Sequence, residues 1–306
     1  MHVRRGPQLV EVFAPAKLNL FLEVLGKRPD GFHEIETVMT RVSLYDTLTL
    51  ADDPSGAIAL ENDLSADSLP PAGQAAAAES TLPSGSANIV VRAIEALRQA
   101  AGVRHGARVR LVKRIPMAAG MAGGSTDAAA AILAANIAWK LDWPRTRLAE
   151  VAATLGSDIP YFFTPGPALC RGRGELVEPL AGCGVLHFAV IAPPEGLSTA
   201  AVYRACRPAE TPRRAVELIH AWRQGNFAEV GRQLHNRLQD AAEGISPWID
   251  RLARELRSMD CWGHRMSGSG TSYFAMCRSA AHARNTAAAL RGRGLGRTLA
   301  LMTTPN

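Results

Sequence analysis

The sequence is short of several features that mark whole classes of protein. It has five cysteines in 306 residues (Cys170, Cys183, Cys206, Cys261 and Cys277), none in a C-x-x-C pair and odd in number. That pattern excludes a disulfide framework and reads as reduced core or surface thiols of a cytosolic protein. No block of five or six like charges occurs, and the cations are mostly arginines spread along the chain, so a dedicated nucleic-acid arm is not expected. The longest apolar run, Ala128 to Trp139, contains Asn136 and falls short of the ~20 residues that span a bilayer. The basic stretch Met1 to Pro7 is not followed by an apolar core, which argues against secretion. Gly (27) and Pro (19) are too few and too scattered for a collagenous or low-complexity chain. The expectation is a soluble cytoplasmic protein, monomer or homodimer, with no nucleic-acid or membrane partner.

What is present fits a globular chain. Hydrophobic residues make up 47% and charged residues 20%, which excludes disorder over most of the length. At ~150 residues per domain the chain is long enough for two domains, or one large one. Its 34 basic and 28 acidic residues leave a net charge of +6, compatible with anionic ligands.

Along the chain, Leu9–Phe13 and Leu18–Leu25 read as two strands broken at Ala14-Pro15-Ala16. Arg28-Pro29-Asp30-Gly31 reads as a turn, since Pro presets one dihedral and Gly accepts positive φ. Residues 62–86, rich in Ala, Ser and Pro, read as a long surface loop. A helix is predicted over 88–101, with Ile89, Ala93, Ile94 and Leu97 on one face and Gly102 as its stop. After Pro193-Pro194 helical patterns dominate (215–223, 227–238, 247–259), followed by strands, a helix over 280–290 and a last strand. A compact α+β unit is expected there. The predicted boundary divides 1–193 from 194–306.

Four segments could carry chemistry. The first is the loop Pro116, Met117, Ala118, Ala119, Gly120, Met121, Ala122, Gly123, Gly124, Ser125, Thr126 and Asp127. Small residues let backbone N–H groups approach an oxyanion, and the helix beginning near Ser125 adds its positive end. The loop lacks the Gly-Lys-Ser/Thr of a P-loop and is not G-x-G-x-x-G, so the alternative is a helix capped by Ser125 or Thr126 after a flexible loop. The second is Lys17 with Asn19, on one face of a strand: an anion contact or a solvated face. The third is Asp158, between a helix and an apolar stretch, which reads as a base or as a local cap. The fourth, Ser267-Gly268-Ser269-Gly270-Thr271, is an anion nest, a brace behind the first loop, or a plain tight turn.

In this order and spacing the four segments resemble the GHMP superfamily of small-molecule kinases, over essentially Val12 to Met302. Ala14-Pro15-Ala16-Lys17 resembles its first motif, Pro116 to Asp127 its ATP-phosphate loop and Ser267 to Thr271 its third motif. Arg28-Pro-Asp-Gly31-Phe32-His33, Gly156-Ser-Asp158-Ile-Pro160 and Gly196-Leu-Ser-Thr199-Ala-Ala-Val-Tyr203 are similar to those of the members that phosphorylate the 2-hydroxyl of 4-diphosphocytidyl-2-C-methyl-D-erythritol. The resemblance implies an α+β fold: an N-terminal domain of the ribosomal-protein-S5-domain-2 type and a ferredoxin-like C-terminal domain. It implies ATP with Mg²⁺, and Asp158 as the carboxylate that accepts or orients the hydroxyl proton beside Lys17. Pro116 to Thr126 would bind the ATP phosphates, with metal ligands unassigned and Ser125 a candidate. Asn19 would line the substrate site, His33 pair with the base, and Phe32 and Tyr203 flank it. Phe32 stands where a tyrosine is usual, and Met121-Ala122 where many relatives have Leu-Gly. Ala122 is accordingly expected at ordinary φ. The rival readings are a GHMP kinase acting on mevalonate, homoserine or a sugar, and a nucleotide-binding module without turnover.

Overall fold

The computed structural model describes residues 1–64 and 85–304. In chain order the elements are β1 (His2–Arg5), β2 (Val10–Lys27), β3 (His33–Asp53), β4 (Ile58–Leu64), α1 (Ile89–Ala101), β5 (Gly106–Lys113), α2 (Gly123–Ala138) and α3 (Arg145–Ala153). There follow β6 (Ala168–Gly172), β7 (Leu176–Pro179), β8 (His187–Ala192), α4 (Thr199–Ala205), α5 (Val216–Arg223), α6 (Phe227–Arg232), β9 (His235–Asn236) and α7 (Leu238–Glu243). The chain closes with α8 (Pro247–Arg257), β10 (Gly263–Met266), β11 (Tyr273–Cys277), α9 (Ala280–Arg291) and β12 (Arg297–Met302). Helices and mostly antiparallel strands make this an α+β chain, as expected.

Two compact units emerge. The first comprises Met1–Ala16, Leu44–Met117 and Ala122–Pro165, the second Lys17–Ser43, Ala118–Met121 and Gly166–Asn306. Strands β2 and β3 are hydrogen-bonded neighbours, and each contributes to both units.

In the first unit β1 pairs antiparallel with the start of β2 (Val3 opposite Val12), and β5 pairs antiparallel with the end of β3 (Leu50 opposite Val109). Parallel β4 lies on the other side of β5. Helix α1 buries Val90, Ala93, Ile94 and Leu97, one heptad-spaced stripe. Asn88 caps it by accepting from the Val90 N–H at 2.8 Å, and Gly102 ends it in the left-handed region at φ 65. Helix α2 is buried on every side from Thr126 to Asn136, because six of its residues there are alanines that let neighbours close in. The stretch 65–84, most of the loop expected over 62–86, lies outside the described residues. Asn62–Leu64 instead end β4, and Gly85–Ala87 form a 3₁₀ turn.

In the second unit a four-stranded antiparallel sheet runs in the order β10-β11-β8-β12. Its core gathers Ile191, Tyr273, Ala275, Leu252, Leu256 and Leu290, drawn from the sheet and from α8 and α9. A second group of strands joins β2 and β3 to β6, β7 and the two-residue β9.

Two expectations about elements are corrected here. The predicted break at Ala14-Pro15-Ala16 is absent, and β2 runs through it. Pro15 has no N–H to donate, but its fixed φ is compatible with extended chain, and the small residues around it are fully buried. The helix predicted over 227–238 is interrupted, because His235 and Asn236 pair with Phe21 and Leu22 of β2. Tertiary pairing overrides the helical period at that point.

Candidate active site

The second unit gathers Lys17, Asn19, Gly120 and Ser267 into one hydrogen-bonded group. Lys17 and Asn19 alternate along β2 with Leu18 and Leu20, and all four are buried. The solvated-face reading of Lys17 and Asn19 is thereby excluded. The Lys17 ammonium donates to Asn19 Oδ1 and, at 3.0 Å, to the Gly120 carbonyl. Asn19 Nδ2 donates to Thr37 Oγ1 at 2.8 Å, and the Thr37 hydroxyl donates to the Phe21 carbonyl at 2.6 Å. The Asn19 N–H donates to Ser267 Oγ at 3.2 Å, and Ser267 Oγ in turn donates to the Gly120 carbonyl at 3.0 Å. A buried ammonium held at a fixed point by neutral acceptors is suited to meeting developing negative charge without reorganising.

The glycine-rich loop is shaped by close approach. Gly120 has φ 71, and a methyl group on it would stand 2.0 Å from the Ser267 carbonyl oxygen. Only glycine fits. The Ser272 N–H donates to the Ala119 carbonyl at 3.0 Å, and the Lys17 N–H to that of Met121 at 3.1 Å. The Ser267–Gly270 turn is therefore a brace for this loop, one of the three roles left open by sequence. Pro116 and Met117 precede this braced stretch in the first unit, and Ala118 turns at φ 48.

Helix α2 begins at Gly123, two residues earlier than the sequence suggests. Its N-cap is Ala122, in the left-handed conformation at φ 56 and ψ 35, with no side-chain cap. This corrects the expectation of ordinary φ for Ala122 and of a cap from Ser125 or Thr126. The left-handed residue turns the loop directly into the helix, at a cost of about 1 kcal/mol for a residue with a Cβ. The N–H groups of Gly123, Gly124 and Ser125 have no acceptor within the helix, Gly124 is exposed, and Ser125 is half-buried. Thr126 is buried, with no hydrogen-bond partner for its hydroxyl.

Beneath this helix start lies a buried ionic triad. Lys113, at the end of β5, donates to Asp46 of β3 and, at 2.5 Å, to Asp127 of α2. A methyl group on Gly123 would meet the Lys113 Nζ at 3.1 Å. Asp46 also accepts the N–H groups of Arg114 and, at 2.8 Å, Ile115. Burial, reinforced by Asp46, pushes the Asp127 carboxyl well above the usual range against the pull of Lys113. Asp127 thus points away from the face that would meet phosphate.

Asp158, also in the first unit, is half-buried in the turn between α3 and the buried 3₁₀ segment Pro160–Phe163. Among the described residues no cluster of three or more His, Cys, Asp or Glu side chains is placed to hold a metal.

In the second unit the rings of His33 and Tyr203 lie 5.2 Å apart, tilted by 36°. Burial lowers the His33 pKa and the Lys27 charge lowers it further, which favours the neutral ring with one donor and one acceptor. Phe32 is 51% exposed, and the Arg173 guanidinium lies over its ring 4.9 Å from the centroid. The turn before it is closed by the Arg28 N–H donating to the Phe32 carbonyl at 2.8 Å.

Family models match on both sides of Pro193-Pro194: the GHMP kinases N-terminal domain over residues 88–166 and the GHMP kinases C-terminal domain over 215–294. The chain is 40% identical over 285 residues to a 4-diphosphocytidyl-2-C-methyl-D-erythritol kinase of Pelotomaculum thermopropionicum, covering 92% of this chain and 94% of that one. It is 37% identical to the enzyme of the same name from Gloeobacter violaceus, covering 92% and 90%. This chain belongs to the GHMP kinase family. A crystal structure of a 4-(cytidine 5'-diphospho)-2C-methyl-D-erythritol kinase superposes with a TM-score of 0.76 at 31% identity, covering 96% of this chain and 99% of that one. A homoserine kinase of Cytophaga hutchinsonii shares the fold, with a TM-score of 0.75 at 18% identity.

Sequence reasoning missed several residues that shape the site of this GHMP kinase. Thr37, which orients Asn19, lies in a strand that also carries Glu36, Thr40, Arg41 and Ser43, where one more hydroxyl carries no signal. Asp127 is part of the loop read from the sequence, but Lys113 and Asp46 were missed: Lys113 meets Asp127 and Asp46 across separations of 14 and 67 residues, and no local pattern announces that. Arg173 over Phe32 is equally a tertiary contact.

Proposed function

We propose that this GHMP kinase transfers the γ-phosphoryl group of ATP to the 2-hydroxyl of 4-diphosphocytidyl-2-C-methyl-D-erythritol, a step of non-mevalonate isoprenoid precursor synthesis. The observation that carries the choice of acceptor is the His33–Tyr203 ring pair beside exposed Phe32. A pyrimidine base gives these rings something to stack on and hydrogen-bond, whereas mevalonate and homoserine do not. Near-full-length identity to enzymes of that name supports the same reading.

In this reading Asp158 accepts the proton of the substrate hydroxyl as its oxygen attacks the γ-phosphorus, and ADP departs with the bridging oxygen's electron pair. Lys17 is assigned as the second catalytic residue, its ammonium facing the charge on the transferring group. The loop Pro116–Thr126 and the first N–H groups of α2 hold the β- and γ-phosphates. Asn19 lines the methylerythritol end, His33 pairs with the cytosine edge, and Phe32 and Tyr203 are its walls. Mg²⁺ would neutralise phosphate charge. Ser125, at the start of α2, is the side chain that would approach it. We assign the ATP loop and catalytic pair to a domain 1–193, with 194–306 as the second domain. The two family matches on either side of that boundary support the division.

The test is ADP release from ATP and Mg²⁺ with the cytidyl substrate, mevalonate or homoserine, using wild type and Asp158→Asn. The expected result is turnover with the cytidyl substrate alone, reduced at least 100-fold in the variant. Turnover with another acceptor overturns the substrate. An active Asp158→Asn overturns the role of the carboxylate.

A further inference from the structure

The two-residue strand β9 stands behind the Lys17 group, and both amide donors of its second residue, Asn236, go to one turn. Asn236 is buried. Its amide Nδ2 donates to the Met266 carbonyl and to the Gly268 carbonyl, both at 2.8 Å, and its Oδ1 accepts the Leu238 N–H at 3.0 Å. Two donors of one rigid amide thus fix the spacing of two carbonyls on either side of Ser267. Ser267 is the residue whose hydroxyl joins the Asn19 N–H to the Gly120 carbonyl, and that carbonyl accepts from the Lys17 ammonium. Gly268 closes the same path from the other side, since a methyl group there would stand 3.1 Å from Lys17 Nζ.

Both neighbours of Asn236 are pinned. The buried carboxylate of Glu23, on β2, accepts from Arg237 Nε at 2.7 Å and lies 3.0 Å from His235 Nε2. The amide therefore reaches the turn from a rigid base.

We propose that Asn236 is a positioning residue for phosphoryl transfer. By setting the width of the 266–268 turn it places Ser267, and through the Gly120 carbonyl it places the Lys17 ammonium. The inference rests on the reading of Lys17 as catalytic. Misplacing such a charge by about 1 Å costs on the order of 100-fold in rate, because the ammonium then meets the developing charge off its optimum. The turn has a separate support in the Met266 N–H, which donates to Gln239 Oε1 at 3.3 Å. Loss of the Asn236 amide should therefore shift the turn without abolishing it.

The experiment compares Asn236→Leu, Asn236→Asp and Ser267→Ala with wild type for kcat, for KM of ATP and of the cytidyl substrate, and for thermal melting. Leucine removes both donors at similar volume, and aspartate turns a carboxylate toward two carbonyl oxygens. Ser267→Ala cuts the link at its next joint and decides the matter should the Asn236 variants not fold. A kcat at least 10-fold lower, with KM for the cytidyl substrate within threefold of wild type, is expected for all folded variants, since neither His33 nor Tyr203 hydrogen-bonds to Asn236. A folded variant with kcat within twofold of wild type overturns the proposal. So does a kcat and both KM values that move together in proportion to lost melting temperature. Lys17→Met is measured alongside: if it keeps wild-type kcat, the catalytic reading of Lys17 fails. If it is inactive while Asn236→Leu and Ser267→Ala are not, only the present inference fails.

Discussion

Each unit of this kinase has a buried charge cluster, around Lys113 in the first and around Glu23 in the second, and these two have opposite polarity. In the first unit a single cation, Lys113, sits between two carboxylates, Asp46 and Asp127, with all three side chains 0–3% exposed. In the second a single carboxylate, Glu23, accepts from Arg237, His235 and the Arg213 N–H. The outcome for the carboxyl groups differs accordingly. Burial opposes ionisation in both, but around Glu23 the hydrogen bonds of His235, Arg237 and Arg213 outweigh it and hold the pKa at about 2. Around Asp127 one ammonium is shared with Asp46, burial wins, and the pKa rises. A buried acid is thus ionised or protonated according to how many donors it owns, not according to depth alone.

The largest effect comes from emptying the centre of the first cluster. Lys113→Met leaves Asp46 and Asp127 facing each other without a cation and should cost roughly 3–5 kcal/mol. Urea titration measures it, and a loss below 1 kcal/mol would mean that the two carboxyl groups do not depend on the ammonium. Glu23→Gln removes the counter-charge of Arg237, which keeps partial access to water (22% side-chain exposure). The expected loss is smaller, about 2–3 kcal/mol, read in the same titration.

The signs of the pH dependence sharpen the contrast. Glu23 titrates below its unfolded value of 4.5, so its stabilisation is complete above that pH and is lost as pH falls toward 2. Asp127 titrates above its unfolded value of 3.8, so its contribution is present at low pH and declines as pH rises from about 4 toward and beyond neutrality. Stability of wild type minus Glu23→Gln should therefore increase with pH over the acid window, and that of wild type minus Asp127→Asn should decrease. Melting temperatures of the three proteins across pH 3–8 test this, and slopes of the same sign would sink it. The smallest effect is local. Ala122→Gly relieves left-handed strain at the head of α2 and should change stability by only about +0.5 to +1 kcal/mol, since the glycine gains freedom in the unfolded chain as well.

Much of this was legible from residues alone wherever the cause is local. An apolar stripe and Gly102 specify α1 by period and stop, and the structure has both, with Val90 rather than Ile89 on the buried face and Asn88 as a cap. The glycine loop and the Ser267–Gly270 turn were visible as points of close approach. What was not legible depends on partners far along the chain. Neither Pro15 inside a continuous strand nor β9 inside a helical pattern can be read from a window of a dozen residues, because in each case distant burial or pairing decides the backbone. The left-handed Ala122 belongs with them: the sequence shows a residue that resists positive φ, and only the junction of loop and helix demands it.

The sequence by itself determined the family, the order of its motifs and the chemical kinds of side chain available: an ammonium, an amide, a carboxylate, small loop residues and a histidine next to a phenylalanine. The tertiary structure decided which of these share a hydrogen-bonded group and which are spent on support. Lys17 became a buried, oriented ammonium because Asn19 on the same strand meets Gly120 and Ser267 from two distant segments. Asp127, the last residue of the glycine-rich loop segment, turned inward to Lys113. The physical reason is common to both. Hydrogen bonds and ion pairs act over about 3 Å in space regardless of separation along the chain, so composition and period announce the participants while packing alone assigns the partners.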